Sequence, residues 1–206
     1  GNVVLKTLEG GTRTLLNDVG FATVVDALER LRFDSLWRSE RIGGEAPDPL
    51  VAMSFAAGRT TRLKFGMSVM VLPGRNPIVL AKELATIDVL SDGRLEVGIG
   101  AGWMVSDYEQ SGIPYDSAKV RIDRFVEGLA VIKGCFGEGP FDFAGEHYTV
   151  TGYNAHPKPV QSPPPLLIGG GGKRVLTIAA KQADIVGINA TMHAGRVGPE
   201  AIATMT

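Results

Sequence analysis

A single cysteine, Cys135, has no partner within the chain, which excludes an internal disulfide and argues against a cysteine-based metal centre. Histidine is almost as scarce: His147, His156 and His193 stand far apart and show no metal-ligand spacing. No apolar run approaches the roughly 20 residues needed to span a bilayer. The opening GNVVLKTLEGG has neither the basic region nor the apolar core of a secretory signal. Clustered charge is missing too. The 21 Lys and Arg are scattered and nearly balance the 22 Asp and Glu, leaving no electrostatic footprint for nucleic acid or a membrane surface. There is no G-x-S-x-G elbow, no Ser/His/Asp arrangement and no Walker A loop. These absences lead to the expectation of a cytoplasmic protein with no metal, no nucleic-acid partner and no membrane partner.

Glycine and proline are plentiful, at 27 and 12, which suits many tight turns better than a helical bundle. At 206 residues the chain has room for a sizeable core, as one domain or two small ones. Short apolar runs alternate with segments of helical period. NVVLKTL (2–8) reads as a first strand. A helix follows over 18–32, with Val24, Ala27, Leu28 and Leu31 on one face. FDSLWRS (33–39) is a second strand. Asp48-Pro49 and Asn76-Pro77 are helix starts, with a capping side chain and then proline at the first helical position. Between them LKFGMSVMV (63–71) reads as a third strand. RLEVGIGAG (94–102) is a fourth, and a long helix spans 119–136 with Phe125, Leu129, Ile132 and Phe136 along one stripe. FDFAGEHYTV (141–150) breaks the rhythm as a hairpin around Ala144-Gly145. PLLIGG, KRVLTIAAKQA and DIVGIN complete a fifth strand, a helix and a sixth strand, and GPEAIATMT starts a further helix.

Near-continuous apolar strands joined by helices indicate a buried parallel sheet, either doubly wound or closed into a (β/α)8 barrel. About six β-α units are visible. A barrel of eight commonly takes roughly 250 residues, so on the barrel reading the last two units are expected to be missing from this chain. The open strand edges would then be covered by chain continuing past Thr206 or by a partner.

Four consecutive glycines, Gly169 to Gly172, run straight from the fifth strand into Lys173-Arg174 and a helix. Both flanks belong to one β-α unit, which rejects a linker. Two readings stay open: a tight strand-to-helix turn, or backbone bared to hold a phosphate at a helix N-terminus, with Lys173 or Arg174 adding charge. A second glycine-rich strand end, Val97-Gly98-Ile99-Gly100-Ala101-Gly102-Trp103, superficially resembles a dinucleotide loop. WMVSDYEQSGIP after it makes no clean helix, so the Rossmann reading is weak. Two small-residue strand ends in one array instead suggest a flat ligand across the carboxyl ends of the strands. Trp37, Ser39, Glu40 and Arg41 close the second strand, where the carboxylate and guanidinium read as an active-site pair or a surface ion pair. Cys135 reads as buried packing, and His147 as a surface or core residue of the hairpin.

Four segments, FDSLWRSERI, LKFGMSVMVLPGRNPIVLAKELATIDVLSDGRLEVGIGAGW, GEHYTV and PKPVQSPPPLLIGGGGKRVLTIAAKQADIVGIN, together resemble the bacterial-luciferase-like superfamily. The likeness is to its branch that uses the deazaflavin coenzyme F420, and it spans roughly residues 20 to 190. The resemblance implies a (β/α)8 barrel of the TIM type, here one domain, with a flavin or deazaflavin across its C-terminal mouth. It implies a non-prolyl cis peptide at Ser68-Val69, bulging against the ring, with Met70 just beyond. Ala101 and Gly102 would approach the ring and its polyol tail, and Gly169, Gly170, Gly171, Gly172 and Lys173 would grip the phosphate. Gly187-Ile188-Asn189 would border the same cavity. Many F420-dependent relatives carry an Asp-His pair where this chain has Glu40 and Arg41. Some sugar-phosphate-oxidising relatives place a proton-donating Glu where it has Trp103. The resemblance thus leaves Glu40 as the acid near the ring and makes Trp103 an apolar wall, and these two are the expected catalytic residues.

The expected activity is hydride transfer between F420 and a small organic substrate, by a homodimer. The alternatives are an FMN-dependent monooxygenase of the same fold and a non-catalytic flavin-binding protein. An open-sheet NAD protein is a further reading, and it requires a helix directly after Gly102.

Overall fold

Asp48 and Asn76 do what their places before proline require. Asp48 Oδ1 accepts the amide hydrogens of Leu50 and Val51 at 2.9 and 3.0 Å, and Asn76 Oδ1 those of Ile78 and Val79 at 2.9 and 3.2 Å. Each cap satisfies two donors that a helix start leaves free. The computed structural model of the protein describes residues 2–5, 20–43 and 46–189. Its helices are α1 (Phe21–Arg30), α2 (Pro49–Arg59), α3 (Pro77–Leu90), α4 (Val105–Ser111), α5 (Ala118–Phe136) and α6 (Lys173–Gln182). Its strands are β1 (Asn2–Leu5), β2 (Ser35–Arg38), β3 (Lys64–Met67), β4 (Met70–Val71), β5 (Leu95–Gly100), β6 (Phe141–Ala144), β7 (Thr149–Tyr153), β8 (Leu166–Gly170) and β9 (Ile185–Ile188).

The parallel strands lie side by side in chain order, β1-β2-β3-β5-β8-β9, with β4 also paired to β5. A doubly wound sheet reverses its strand order at a switch point. No reversal occurs among the described strands, so that fold and the open-sheet NAD reading are both rejected. The sheet curls as half of a barrel. The hairpin β6–β7 stands apart as its own antiparallel pair, as its alternating sequence implies.

Side chains alternate between the two faces of the sheet. Leu36, Phe65, Met67, Val97, Ile99 and Ile168 point to the helices and join Met53, Ala56, Leu80, Leu84, Phe125, Leu129 and Ile132 in one buried core. Ser35, Trp37, Lys64, Glu96, Leu167 and Ile185 take the other face and line a cavity of about 610 Å³. The N-terminal end of the sheet is tied by polar contacts. Arg94 donates to the carbonyls of Ala57, Leu63 and Ser91 at 2.9, 3.0 and 2.7 Å. The buried Asp88 carboxylate accepts from the Gln161 backbone and side chain at 3.0 and 2.7 Å.

Three expectations need correction. The third predicted strand is not continuous: it divides into β3 and β4 around Ser68-Val69. In α1 the buried positions are Val25 and Leu28, while Leu31 is 60% exposed because the helix ends at Arg30 and Leu31 lies past its last turn. Residues after Gly102 do form a helix, α4, entered through Met104 without any capping side chain. The expected start at residue 18, the end of the first strand at 6–8, His193 and the helix after Asn189 lie outside the described residues.

Candidate site at the carboxyl ends of the strands

The peptide Ser68-Val69 is cis, as the resemblance implies. It lifts the chain out of β3 before β4 rejoins β5 at Met70↔Ile99 and Val71↔Gly100. The end of β2 holds this bulge. Ser68 N–H donates to Arg38 O at 2.7 Å, Ser39 Oγ donates to Ser68 O at 2.7 Å, and Glu40 N–H donates to Val69 O at 3.2 Å. Glu40 reaches further: its Oε2 accepts from Val71 N–H at 2.5 Å and its Oε1 from Arg75 Nε at 3.0 Å and from Arg75 Nη2. Arg75 Nη2 also donates to Asp48 Oδ2 at 2.8 Å, so one guanidinium joins the start of α2 to the end of β2. Burial draws the Arg75 pKa down, but Glu40 and Asp48 outweigh it and leave it raised.

Beneath the bulge lies bare backbone. A Cβ on Gly100 would stand 2.6 Å from Val69 Cγ2, and one on Gly169 would stand 2.7 Å from Val69 Cγ1. Either distance is closer than nonbonded carbons approach, so both positions require glycine while Val69 rests there. Ala101 is half-buried beside this shelf, and Gly102 turns the chain with φ +71°, a conformation that disfavours other residues. The ring of Tyr108 packs under Gly102 and is 2% exposed. Its hydroxyl has no hydrogen-bond partner among the described residues, and burial raises its pKa. Trp103 is 46% exposed, with its carbonyl accepting from Tyr115 Oη at 3.3 Å.

The four glycines resolve into separate roles. Gly169 carries Val69, and a Cβ on Gly170 would meet Val175 of α6 at 2.5 Å. Gly172 is the N-cap of α6, with no side chain accepting from the first turn. None of the four has a positive φ, so close approach rather than an unusual turn explains the first two. Lys173 is exposed, whereas Arg174 is paired with Asp123. Asn189 N–H donates to Gly170 O at 3.0 Å, bringing the end of β9 alongside.

The structure thus gathers Glu40, Ser68, Val69, Met70, Ala101, Gly102 and Gly169 around one bulge, with Met70 fully buried in the core behind it. Gly170 to Lys173 continue from the neighbouring strand end. The large cavity on the concave face lies toward the other end of the strands, and Ser68 is the expected cofactor residue that lines it. Glu40 and Arg41 do not pair with each other. Arg41 Nε donates to Asp107 Oδ2 at 3.1 Å, tying the loop after β2 to α4. Sequence reasoning used Arg75 only as part of a helix start and passed over Asp107 and Tyr108. Asn-Pro directly after Arg75 fixes where its helix begins, but nothing local shows where its side chain reaches.

The family profile described as luciferase-like monooxygenase matches residues 20–204. The F420-dependent glucose-6-phosphate dehydrogenase of Amycolatopsis mediterranei (strain U-32) is 32% identical over 163 residues, covering 76% of this chain and 49% of the relative. The FMNH(2)-dependent dimethylsulfone monooxygenase of Pseudomonas putida is 32% identical over 149 residues, covering 72% of this chain and 39% of the relative. The coenzyme F420 dependent tetrahydromethanopterin reductase from Methanopyrus kandleri superimposes with a TM-score of 0.76 at 21% identity, over 92% of this chain and 55% of that one. The chain therefore spans about half the length of the dehydrogenase, and less of the monooxygenase.

Proposed function

Because this chain belongs to the luciferase-like monooxygenase family, we propose that the protein is an oxidoreductase holding a deazaflavin across the carboxyl ends of its strands. Reduced F420 supplies hydride to a small organic substrate, or oxidised F420 accepts one, and the protein's part is to orient the ring and exclude water. The observation that carries this reading is the Ser68-Val69 bulge seated on Gly100 and Gly169. The missing side chains of Gly100 and Gly169 make room for Val69 itself, and the resemblance sets a flat ring against the bulge so formed.

Ser68, Val69 and Met70 would back the ring, and Ala101 and Gly102 would line its tail. The uncapped first turn of α6, ten residues long, offers N–H groups and the positive end of its dipole to a phosphate. Gly169 to Gly172 allow close approach there, and exposed Lys173 adds a charge. Trp103 would form an apolar wall. By the resemblance, Trp103 stands where some sugar-phosphate-oxidising relatives place a proton-donating Glu, which speaks against a sugar-phosphate dehydrogenase role.

A second reading, an FMN-dependent monooxygenase, is supported by the likeness to the dimethylsulfone enzyme. Titrating the protein with F420 and with FMN separates the two. F420 binding is expected, and tight FMN binding with no affinity for F420 would overturn the first reading. Cofactor binding without turnover across a panel of acceptors would instead favour a flavin-binding module. We take the whole protein to be a cytoplasmic homodimer whose open strand edges are covered by further β-α units or by a partner chain, which intact mass and sedimentation would test.

A further inference from the structure

We infer that Glu40 is a positioning residue, holding the Ser68–Val71 bulge in register through Val71 N–H and Arg75, and is not the group that exchanges a proton with substrate. The inference rests on the proposed cofactor site for its consequence in binding, while the clamp itself stands on contacts within this chain.

The Glu40 side chain is 5% exposed, and both of its oxygens are already acceptors. Oε2 takes Val71 N–H at 2.5 Å, and Oε1 takes two nitrogens of Arg75. All of these partners are donors only. A carboxyl that carried a proton would aim a fourth donor into this group and give up an acceptor, leaving a half-buried N–H or guanidinium unmatched. An ionised carboxylate matches all of them. Arg75 is braced in turn by Asp48, whose other oxygen caps α2. The bulge is thus fastened on one side to β2 and α2, and it rests on the glycine strip on the other. Its height above the strip depends on the length and charge of Glu40. Residues that grip a ligand's ring through backbone need such support to hold their geometry.

The test compares wild type with Glu40→Gln, Glu40→Ala, Arg75→Met and the double variant E40Q/R75M. Amide hydrogen exchange is followed over residues 67–75 in the cofactor-free protein, alongside Kd for F420 and for FMN. Glu40→Ala and Arg75→Met should each speed exchange around Val71 roughly tenfold and weaken cofactor binding by a similar factor. The double variant should be no worse than the more damaged single one, and Glu40→Gln should keep the wild-type midpoint in the pH profile of turnover. Unchanged exchange and affinity in Glu40→Gln, with turnover or one limb of the pH profile lost, would overturn the inference in favour of proton transfer. If Glu40→Ala does not fold, Glu40→Gln and Arg75→Met decide by the same readings. Wild type that binds neither cofactor would defeat the proposed function, and the exchange comparison would still decide the clamp.

Discussion

Val69 lies close enough over the two glycines beneath it to set consequences that can be measured. Gly169→Ala places a methyl group 2.7 Å from Val69 Cγ1. Overpacking of this kind typically costs about 1–3 kcal/mol, so the urea midpoint should fall and cofactor affinity with it. Adding Val69→Ala should restore much of the stability. A stability loss that Val69→Ala leaves untouched would place the strain elsewhere. Cys135 answers a separate question at the same scale. It is 1% exposed, and burial pushes its thiol up to about 11. At pH 8 a thiol reagent should label it only as the protein unfolds, and rapid labelling of the native protein would contradict its place in the core. Packing was the sequence reading for Cys135, since it ends an apolar helix face. Glu40 shows the opposite limit, because its type and position were legible but its partners Val71 and Arg75 were not.

Among the elements, two helices extend a glutamate that collars a stretch of backbone. Glu29 of α1 accepts the N–H groups of Thr61, Arg62 and Leu63 at 3.1, 3.0 and 2.9 Å. Glu127 of α5 accepts those of Glu146, His147 and Tyr148 in the hairpin turn at 2.9, 2.8 and 3.1 Å. Burial acts to raise both pKa values, but the backbone donors win and hold each below the ordinary 4.5. A depressed carboxylate stabilises the fold fully above its unfolded value and loses that contribution as pH falls through the lowered folded one. Urea midpoints should therefore drop from about pH 4.5 downward, and Glu29→Gln should flatten that acid limb. An acid limb as steep as wild type would exclude Glu29 from it. The same scale explains which elements were readable in sequence. α2 and α3 carry side-chain caps and proline, and their starts were found to the residue. α4 begins at an uncapped Met104 and is held by tertiary contacts, Asp107 to Arg41 and the Tyr108 ring beneath Gly102. No local rule could announce it.

Across the whole molecule, burial is concentrated in the middle of the half-barrel. β3, β5 and β8 pair on both sides and pack into one core with the helices, while β6–β7 forms a two-stranded sheet of half-buried and exposed positions. Native-state hydrogen exchange should show the central strands most protected and the hairpin opening first, since local stability follows buried contacts. A hairpin as slow to exchange as β5 would mean that it is welded into the core more firmly than its burial implies.

The alternation of strand and helix, the capped helix starts, the hairpin and, through resemblance, the cis peptide at Ser68-Val69 are legible in the chain alone. These follow from periodicity, from capping chemistry within a few residues, or from a motif read in order. Three features emerge only on folding: the described strands run in chain order without reversal, Gly100 and Gly169 lie under Val69, and Arg75 joins Glu40 to Asp48. Each of those depends on which strand ends meet in space, and contacts between residues 27 to 100 positions apart leave no period in a sequence.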